Sequence, residues 1–136
     1  MADYNKIGLL VIREGRILLC RKKKGTQLLI LPGGCLEDGE TAMMCLHREI
    51  KEELGEVSVS EVEFIGSYRD RAATADGSDK TVSIELYRGT LSGEPLASSE
   101  IDELVWFGVV DDNALLSPSL RNKILPDLIL RGIFLG

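Results

Sequence analysis

The chain has 136 residues, 44% of them hydrophobic, and a formal net charge of −6 at pH 7. This length predicts one domain over residues 1–136, large enough to bury a single hydrophobic core. The acidic balance and the lack of a long basic tract argue against a general nucleic-acid binder, because duplex binding needs a basic footprint.

The sequence shows no sign of a targeting or membrane-spanning segment. Its start, MADYNKIG, lacks the charged region and long apolar stretch of a signal peptide. The apolar run Ile7–Ile12 is far shorter than the roughly 20 residues needed to cross a bilayer. Three cysteines form no CxxC pair, and reduced thiols are their simplest interpretation. We therefore expect a cytoplasmic protein without membrane contacts.

Apolar or alternating runs bounded by turn residues predict the strands. The first two predicted strands flank Arg13-Glu14-Gly15 as a hairpin, and Lys22–Lys24 after them predict a solvated loop. Two later strands form an antiparallel pair across a polar segment that contains the turn signal Asp76-Gly77. The predicted strands are Ile7–Ile12, Arg16–Arg21, Gln27–Leu31, Val57–Tyr68, Thr81–Thr90 and Leu104–Val110.

A first helix is predicted to begin near Glu40 or Thr41 and to end near Leu54, with Gly55 as its C-terminal stop. Apolar residues recur along it at spacings of three and four, which indicates one face packed on a core. The residues of this stripe are Met43, Leu46, Ile50 and Leu54.

A second helix follows the start signals Asp111-Asp112 and Ser117-Pro118 and ends before Gly132. Pro126 is expected to kink or divide it, because proline lacks the backbone N–H that a helix interior uses. The order of strands, helix, strands and helix predicts an α/β fold in which a mixed sheet has helices on both sides.

Three carboxylates are concentrated on one part of the first helix. Glu49, Glu52 and Glu53 occupy positions i, i+3 and i+4, which share a helical face. Such like-charge pairs destabilise a helix by roughly 0.2–0.5 kcal/mol each. The cluster therefore indicates a bound cation, and all-oxygen ligands suit Mg²⁺ or Mn²⁺. A solvated acidic helix face is the alternative while the cluster is considered alone.

The residues that precede and surround the three carboxylates follow a specific spacing. Five residues separate Gly34 from Glu40, and seven more precede the run REIKEELG at Arg48–Gly55. This pattern resembles the Nudix box, G-x5-E-x7-R-E-U-x-E-E-x-G-U, in which U is aliphatic. The match covers Gly34–Glu56 and departs only at its last position, where Glu56 replaces the aliphatic residue.

The Nudix resemblance implies a fold and an activity. The fold is an α/β/α sandwich with a mixed β-sheet and the box as a loop–helix–loop. The activity is metal-dependent cleavage of a diphosphate linkage in a nucleoside diphosphate derivative or a nucleoside triphosphate, with Mg²⁺ or Mn²⁺ as cofactor. The alternative is a nucleotide-sensing Nudix-fold module that binds without cleaving. Small proteins of this family often form homodimers, so a homodimer is an expectation that no residue here decides.

The resemblance also implies roles for the box residues. Arg48 matches the arginine that orients a box glutamate, and Glu40 matches a glutamate with a structural hydrogen-bonding role. Glu49 is a candidate for either metal ligand or catalytic base. The implied metal ligands are the carboxylates of Glu49, Glu52 and Glu53 and the backbone carbonyl of Gly34.

Residues outside the box are weaker candidates. Some Nudix enzymes carry a further acid before a late strand, and Glu100 is the first choice for it here, with Glu103 second. Solvated surface charges are the alternative for these acids and for the arginines. The candidate substrate contacts are Arg21, Arg69 or Arg71 for phosphates, and Tyr68 or Trp106 for base stacking, with a core position as the alternative for Trp106.

Overall fold

A computed structural model of the protein describes residues 2–72 and 79–135, so the predicted Asp76-Gly77 turn lies outside the described residues. The described chain forms two helices, α1 (Ala42–Leu54) and α2 (Leu125–Leu130). Its strands are β1 (Tyr4–Leu10), β2 (Ile12–Arg13), β3 (Arg16–Lys22), β4 (Gly33–Cys35), β5 (Ser58–Arg71), β6 (Thr81–Ser92) and β7 (Ile101–Phe107).

The strands make one mixed and one antiparallel sheet. In the four-stranded sheet the order is β4-β1-β6-β5, with β1 parallel to β6 and its other pairs antiparallel. The three-stranded sheet has the order β2-β3-β7. One buried cluster joins α1 to the sheets and a second joins them to α2. The predicted mixed α/β arrangement with helices on both sides is therefore confirmed.

The predicted N-terminal hairpin is only partly right. A hairpin does form across Glu14 and Gly15, which both have positive φ, but its first arm is just Ile12–Arg13. The preceding residues, Tyr4–Leu10, belong to the other sheet and run parallel to β6. The apolar run Ile7–Ile12 thus serves two sheets, which a continuous run of hydrophobic residues cannot reveal.

Two other predicted strands have different limits in the structure. Gln27–Leu31 contributes only isolated bridges, and the regular strand β4 lies further along, at Gly33–Cys35. The predicted strand Leu104–Val110 is shifted towards the N-terminus, since β7 spans Ile101–Phe107 and Val110 is almost fully exposed. The predicted pair β5 and β6 is confirmed as antiparallel.

The two helices follow their sequence signals. Helix α1 is capped by Thr41, whose side chain accepts a hydrogen bond from the Met44 N–H (3.1 Å), and Gly55 ends it with φ of 79°. In the C-terminal segment a π-helical turn, Leu120–Ile124, runs directly into α2. Pro126 near the start of α2 is thus accommodated by a widened turn. None of the helices in the described part of the chain combines the length and the apolar character that bilayer crossing requires.

Candidate active site

The carboxylate face of α1 lies against the strand β4. Glu53 is the most enclosed of its acids, with only 8% of the residue exposed, and its Oε1 accepts a hydrogen bond from the Gly33 N–H at 2.7 Å. Burial raises the pKa of Glu53 to about 7, although the Gly33 hydrogen bond acts in the opposite direction. A carboxylate in such surroundings gains from a nearby cation.

Glu49 packs on the backbone of Gly34. A Cβ atom at position 34 would lie 2.3–2.6 Å from the carboxyl group of Glu49, far inside contact distance. Only glycine therefore lets this strand and this glutamate approach so closely. Burial raises the pKa of Glu49, and the hydrogen bond from Arg48 opposes that shift.

Arg48 organises the acids around it. Its Nε and Nη2 donate to the two carboxylate oxygens of Glu40 at 2.7 and 2.9 Å, and its Nη1 donates to Glu49 at 2.8 Å. The Glu37 N–H donates to Glu40 as well, at 2.9 Å. The hydrogen bonds from Arg48 lower the pKa of Glu40 to about 2, and those to Glu40 raise the pKa of Arg48. This bidentate pair ties the loop before α1 to the helix.

Glu52 faces solvent at the edge of this group, with 54% of its side chain exposed and its Oε1 3.8 Å from Arg48. Within residues 2–72 and 79–135, no three ligand-type side chains already converge on one point. Glu49 and Glu53 are held instead by Arg48 and by the Gly33 N–H. Their donor atoms are all oxygens, which is the ligand chemistry that hard divalent cations take.

A cavity of about 270 Å³ lies at the strand β4. Gly33 and Gly34, which hold Glu53 and Glu49, form part of its wall. Among the lining residues that the structure describes, Lys6 and Lys22 are the charged ones. Much of the remaining wall is apolar or carries hydroxyl groups, from residues that include Tyr4, Ile84, Ser117, Ser119 and Leu120.

The NUDIX domain family matches residues 5–128 of the chain. This protein belongs to the Nudix hydrolase family. The family resemblance predicted from the box and the assignment as an enzyme are thereby confirmed.

Solved structures agree with this assignment. The MutT Nudix hydrolase from Burkholderia pseudomallei is 28% identical, over 87% of this chain and 92% of that one, with a TM-score of 0.73. A Nudix hydrolase from Nitrosomonas europaea is 20% identical over 94% and 89% of the two chains, with a TM-score of 0.75. The Escherichia coli dihydroneopterin triphosphate pyrophosphohydrolase shares the fold at 14% identity over 96% and 99%, with a TM-score of 0.69. No curated protein matches the chain significantly.

The departure from the Nudix box at its last position has a local explanation. Glu56 is exposed, and the buried aliphatic side chain comes one residue later, at Val57. The Val57 N–H bonds to the Gly55 carbonyl in the turn that leads into β5. The substitution therefore leaves the helix and its acids in place.

The residues proposed as a second acid have different surroundings. Glu103 on β7 forms an ion pair with Arg21 on β3, its register partner. Arg21 also donates to the Gln27 carbonyl at 3.1 Å, so both predicted groups are engaged within the protein. Glu100 is exposed directly before β7, and its backbone carbonyl accepts a hydrogen bond from the Lys23 N–H.

The other predicted substrate contacts lie on β5 and β7. Tyr68 donates a hydrogen bond to Asp127 of α2 at 2.5 Å and packs on the core beside that helix. Trp106 is half-buried, and the guanidinium of Arg13 stands 5.6 Å from its ring centre. Arg69 and Arg71 are exposed.

Two lysines of this Nudix hydrolase line the cavity and were not among the predicted site residues. Lys22 was predicted in a solvated loop with Lys23 and Lys24, which was wrong, because it ends β3 and lines the cavity. Lys6 lies on β1 opposite Cys35 of β4. Burial and the charge of Lys22 lower the pKa of Lys6. The only sequence signal was a charged residue at the start of an apolar run.

Proposed function

We propose that this Nudix hydrolase cleaves a diphosphate linkage in a nucleoside triphosphate or a nucleoside diphosphate derivative, using Mg²⁺ or Mn²⁺. One observation carries the proposal. The buried carboxylate of Glu53 is fixed by the Gly33 N–H, Glu49 packs on Gly34, and these two glycines form part of the wall of a cavity. Burying acids in this way costs stability unless a cation compensates their charge.

The residues that would hold the cation are the carboxylates of Glu52 and Glu53 and the carbonyl of Gly34, joined by the carboxylate of Glu49 where Glu100 is the base. When bound there, a divalent ion neutralises charge on a pyrophosphate and lowers the pKa of a bound water. Arg48 keeps Glu49 oriented towards Gly34 and holds Glu40 away from the ligand set through its bidentate pair. The protein thereby fixes the acids before substrate arrives, which reduces the cost of arranging them during the reaction.

The catalytic base is proposed to be Glu49 or Glu100. Glu49 is half-buried and its pKa is raised by burial, which suits a group that takes up a proton. Glu103 is the weaker choice, since its carboxylate is paired with Arg21. Comparing the pH dependence of kcat in Glu49→Gln and Glu100→Gln identifies the base, because removing it eliminates the acidic limb of the profile.

A panel assay tests the proposed reaction. Nucleoside triphosphates, nucleotide sugars, ADP-ribose and dinucleoside polyphosphates are incubated with Mg²⁺ or Mn²⁺, and the products are identified by mass. We expect cleavage within a diphosphate linkage, and a fall in kcat of about 100-fold or more in Glu52→Gln and Glu53→Gln. Glu56→Gln is the matched control, because Glu56 is exposed just beyond the helix. Absence of wild-type turnover with both metals would contradict the proposal.

A further inference from the structure

The charge of the cavity contrasts with the charge of the protein. The chain carries a net charge of −6, yet among the residues that the structure describes the cavity is lined by two lysines and by no acid. Lys6 projects from β1 and Lys22 from the end of β3. In the part of the chain that the structure describes, neither ammonium group has a carboxylate within 4.0 Å.

The two lysines are held in unfavourable surroundings. Both are partly buried, and the positive charge of Lys22 acts on Lys6, where the negative charges of Glu53 and Glu49 oppose it only in part. An ammonium group that loses water without gaining a partner costs free energy, and two like charges near each other add to that cost. A phosphate bound between them would supply a direct ion pair and hydrogen-bond acceptors.

The position of the lysines agrees with this ligand. Lys6 pairs in register with Cys35, next to Gly34, so it lies at the end of the cavity where the strand β4 holds Glu49 and Glu53. Apolar and hydroxyl-bearing residues, including Tyr4, Ile84 and Ser119, form other parts of the wall. A ligand with one anionic end and one less polar end fits this lining, and a nucleotide has both.

We propose that Lys6, together with Lys22, binds a phosphate group of the substrate, and that the apolar part of the cavity accommodates the nucleoside. The inference rests on the proposed function, since it assigns the substrate contacts of that reaction. It makes Lys6 a substrate-binding residue. It also replaces Arg21 as the expected phosphate contact, because Arg21 is paired with Glu103.

Binding measurements on lysine variants test the proposal. The probes are inorganic pyrophosphate and the common nucleoside monophosphates, each monophosphate paired with its nucleoside. Lys6→Met is expected to weaken binding of a monophosphate about 10-fold or more and to leave nucleoside binding within about two-fold, because only the phosphate contact is lost. Lys6→Arg keeps the charge and should restore most of the affinity. Lys24→Met is the matched control, since Lys24 is exposed in the following loop.

Three outcomes are decisive for Lys6. Unchanged monophosphate affinity in Lys6→Met overturns the proposal. An equal loss of affinity for nucleoside and monophosphate also overturns it, because Lys6 would then contact the nucleoside and not the phosphate. A selective loss for phosphate-bearing probes that weakens with added salt supports it. Lys6→Gln repeats the comparison with a polar neutral side chain if Lys6→Met unfolds at lower temperature. Failure of the proposed reaction is recognised separately, by a wild-type enzyme that turns over none of the panel.

Discussion

Glu53 combines burial, a fixed hydrogen bond and a raised pKa, and these have a consequence for stability. Its pKa is about 7 in the folded protein against 4.5 for an ordinary glutamate. The folded state therefore binds the proton more tightly than the unfolded state, and this group's contribution to stability is lost as pH rises from about 4.5 to 7. Ionisation of Glu53 in the folded protein therefore lowers the free energy of unfolding by at most about 3 kcal/mol.

Glu53→Gln should consequently stabilise the cation-free protein. Glutamine keeps a carbonyl oxygen for the Gly33 N–H and removes the charge. In urea unfolding with EDTA, the free energy of unfolding of Glu53→Gln should exceed that of wild type by about 1–3 kcal/mol at pH 8 and by much less at pH 5. A difference that does not change with pH would show that the carboxylate is already ionised at pH 5. Added Mn²⁺ should stabilise wild type more than the variant.

Gly34 offers a second test at the residue scale. Alanine at this position places its Cβ 2.3 Å from the Glu49 carboxyl carbon, and the flexible end of Glu49 can move to relieve the clash. We expect Gly34→Ala to lower kcat at least 10-fold, because the acid is displaced, while the melting temperature changes little. Gly108→Ala is the control, since its nearest neighbour would be 3.6 Å away. A wild-type kcat in Gly34→Ala would show that turnover does not require Glu49 to be packed on Gly34.

At the scale of elements, helix α1 shows where sequence reasoning works. Its limits were predicted to within about one residue because capping is local: Thr41 accepts the Met44 N–H and Gly55 supplies the positive φ. The shared face of Glu49 and Glu53 follows from helical periodicity in the same way. The resemblance to the Nudix box then implied roles for these residues, which helical periodicity alone does not indicate.

Strand pairing shows where sequence reasoning stops. The parallel pairing of β1 with β6 joins segments about 80 residues apart, and no local pattern encodes it. That pairing, with β4 added at the edge, is what brings Lys6 to the cavity. The ion pair of Arg21 with Glu103 likewise depends on the register of β3 against β7. Contacts between segments so distant in sequence can be identified only from the three-dimensional structure.

The cap of α1 can be tested by itself. Thr41→Ala removes the acceptor for the Met44 N–H and should lower the free energy of unfolding by about 0.5–2 kcal/mol. Thr41→Ser keeps the hydroxyl and should remain close to wild type. Chemical denaturation of the three proteins measures the difference. Equal stability of Thr41→Ala and Thr41→Ser would show that the cap contributes nothing measurable to the fold.

At the scale of the whole molecule, a cluster of polar side chains ties α2 to β5. Tyr68 on β5 donates to Asp127 at 2.5 Å, and Arg131 donates to Asp127 and to the Ile65 carbonyl at 3.2 and 2.9 Å. Burial and the hydrogen bond to Asp127 raise the pKa of Tyr68 to about 12, and that hydrogen bond lowers the pKa of Asp127. These contacts hold the helix against the sheet beside the cavity wall that Leu120 helps to form.

Tyr68→Phe distinguishes this structural role from the substrate contact expected from the sequence. Loss of the hydroxyl should lower the free energy of unfolding by about 1–2 kcal/mol, since Asp127 loses a hydrogen-bond donor. If the tie to α2 is its main role, KM for the best substrate of the panel should stay within about two-fold of wild type. Tyr87→Phe is the matched control, because Tyr87 packs against Phe64 and its hydroxyl makes no hydrogen bond among the described residues. A raised KM with unchanged stability would instead place Tyr68 on the substrate, and the cavity would then extend past α2 towards β5.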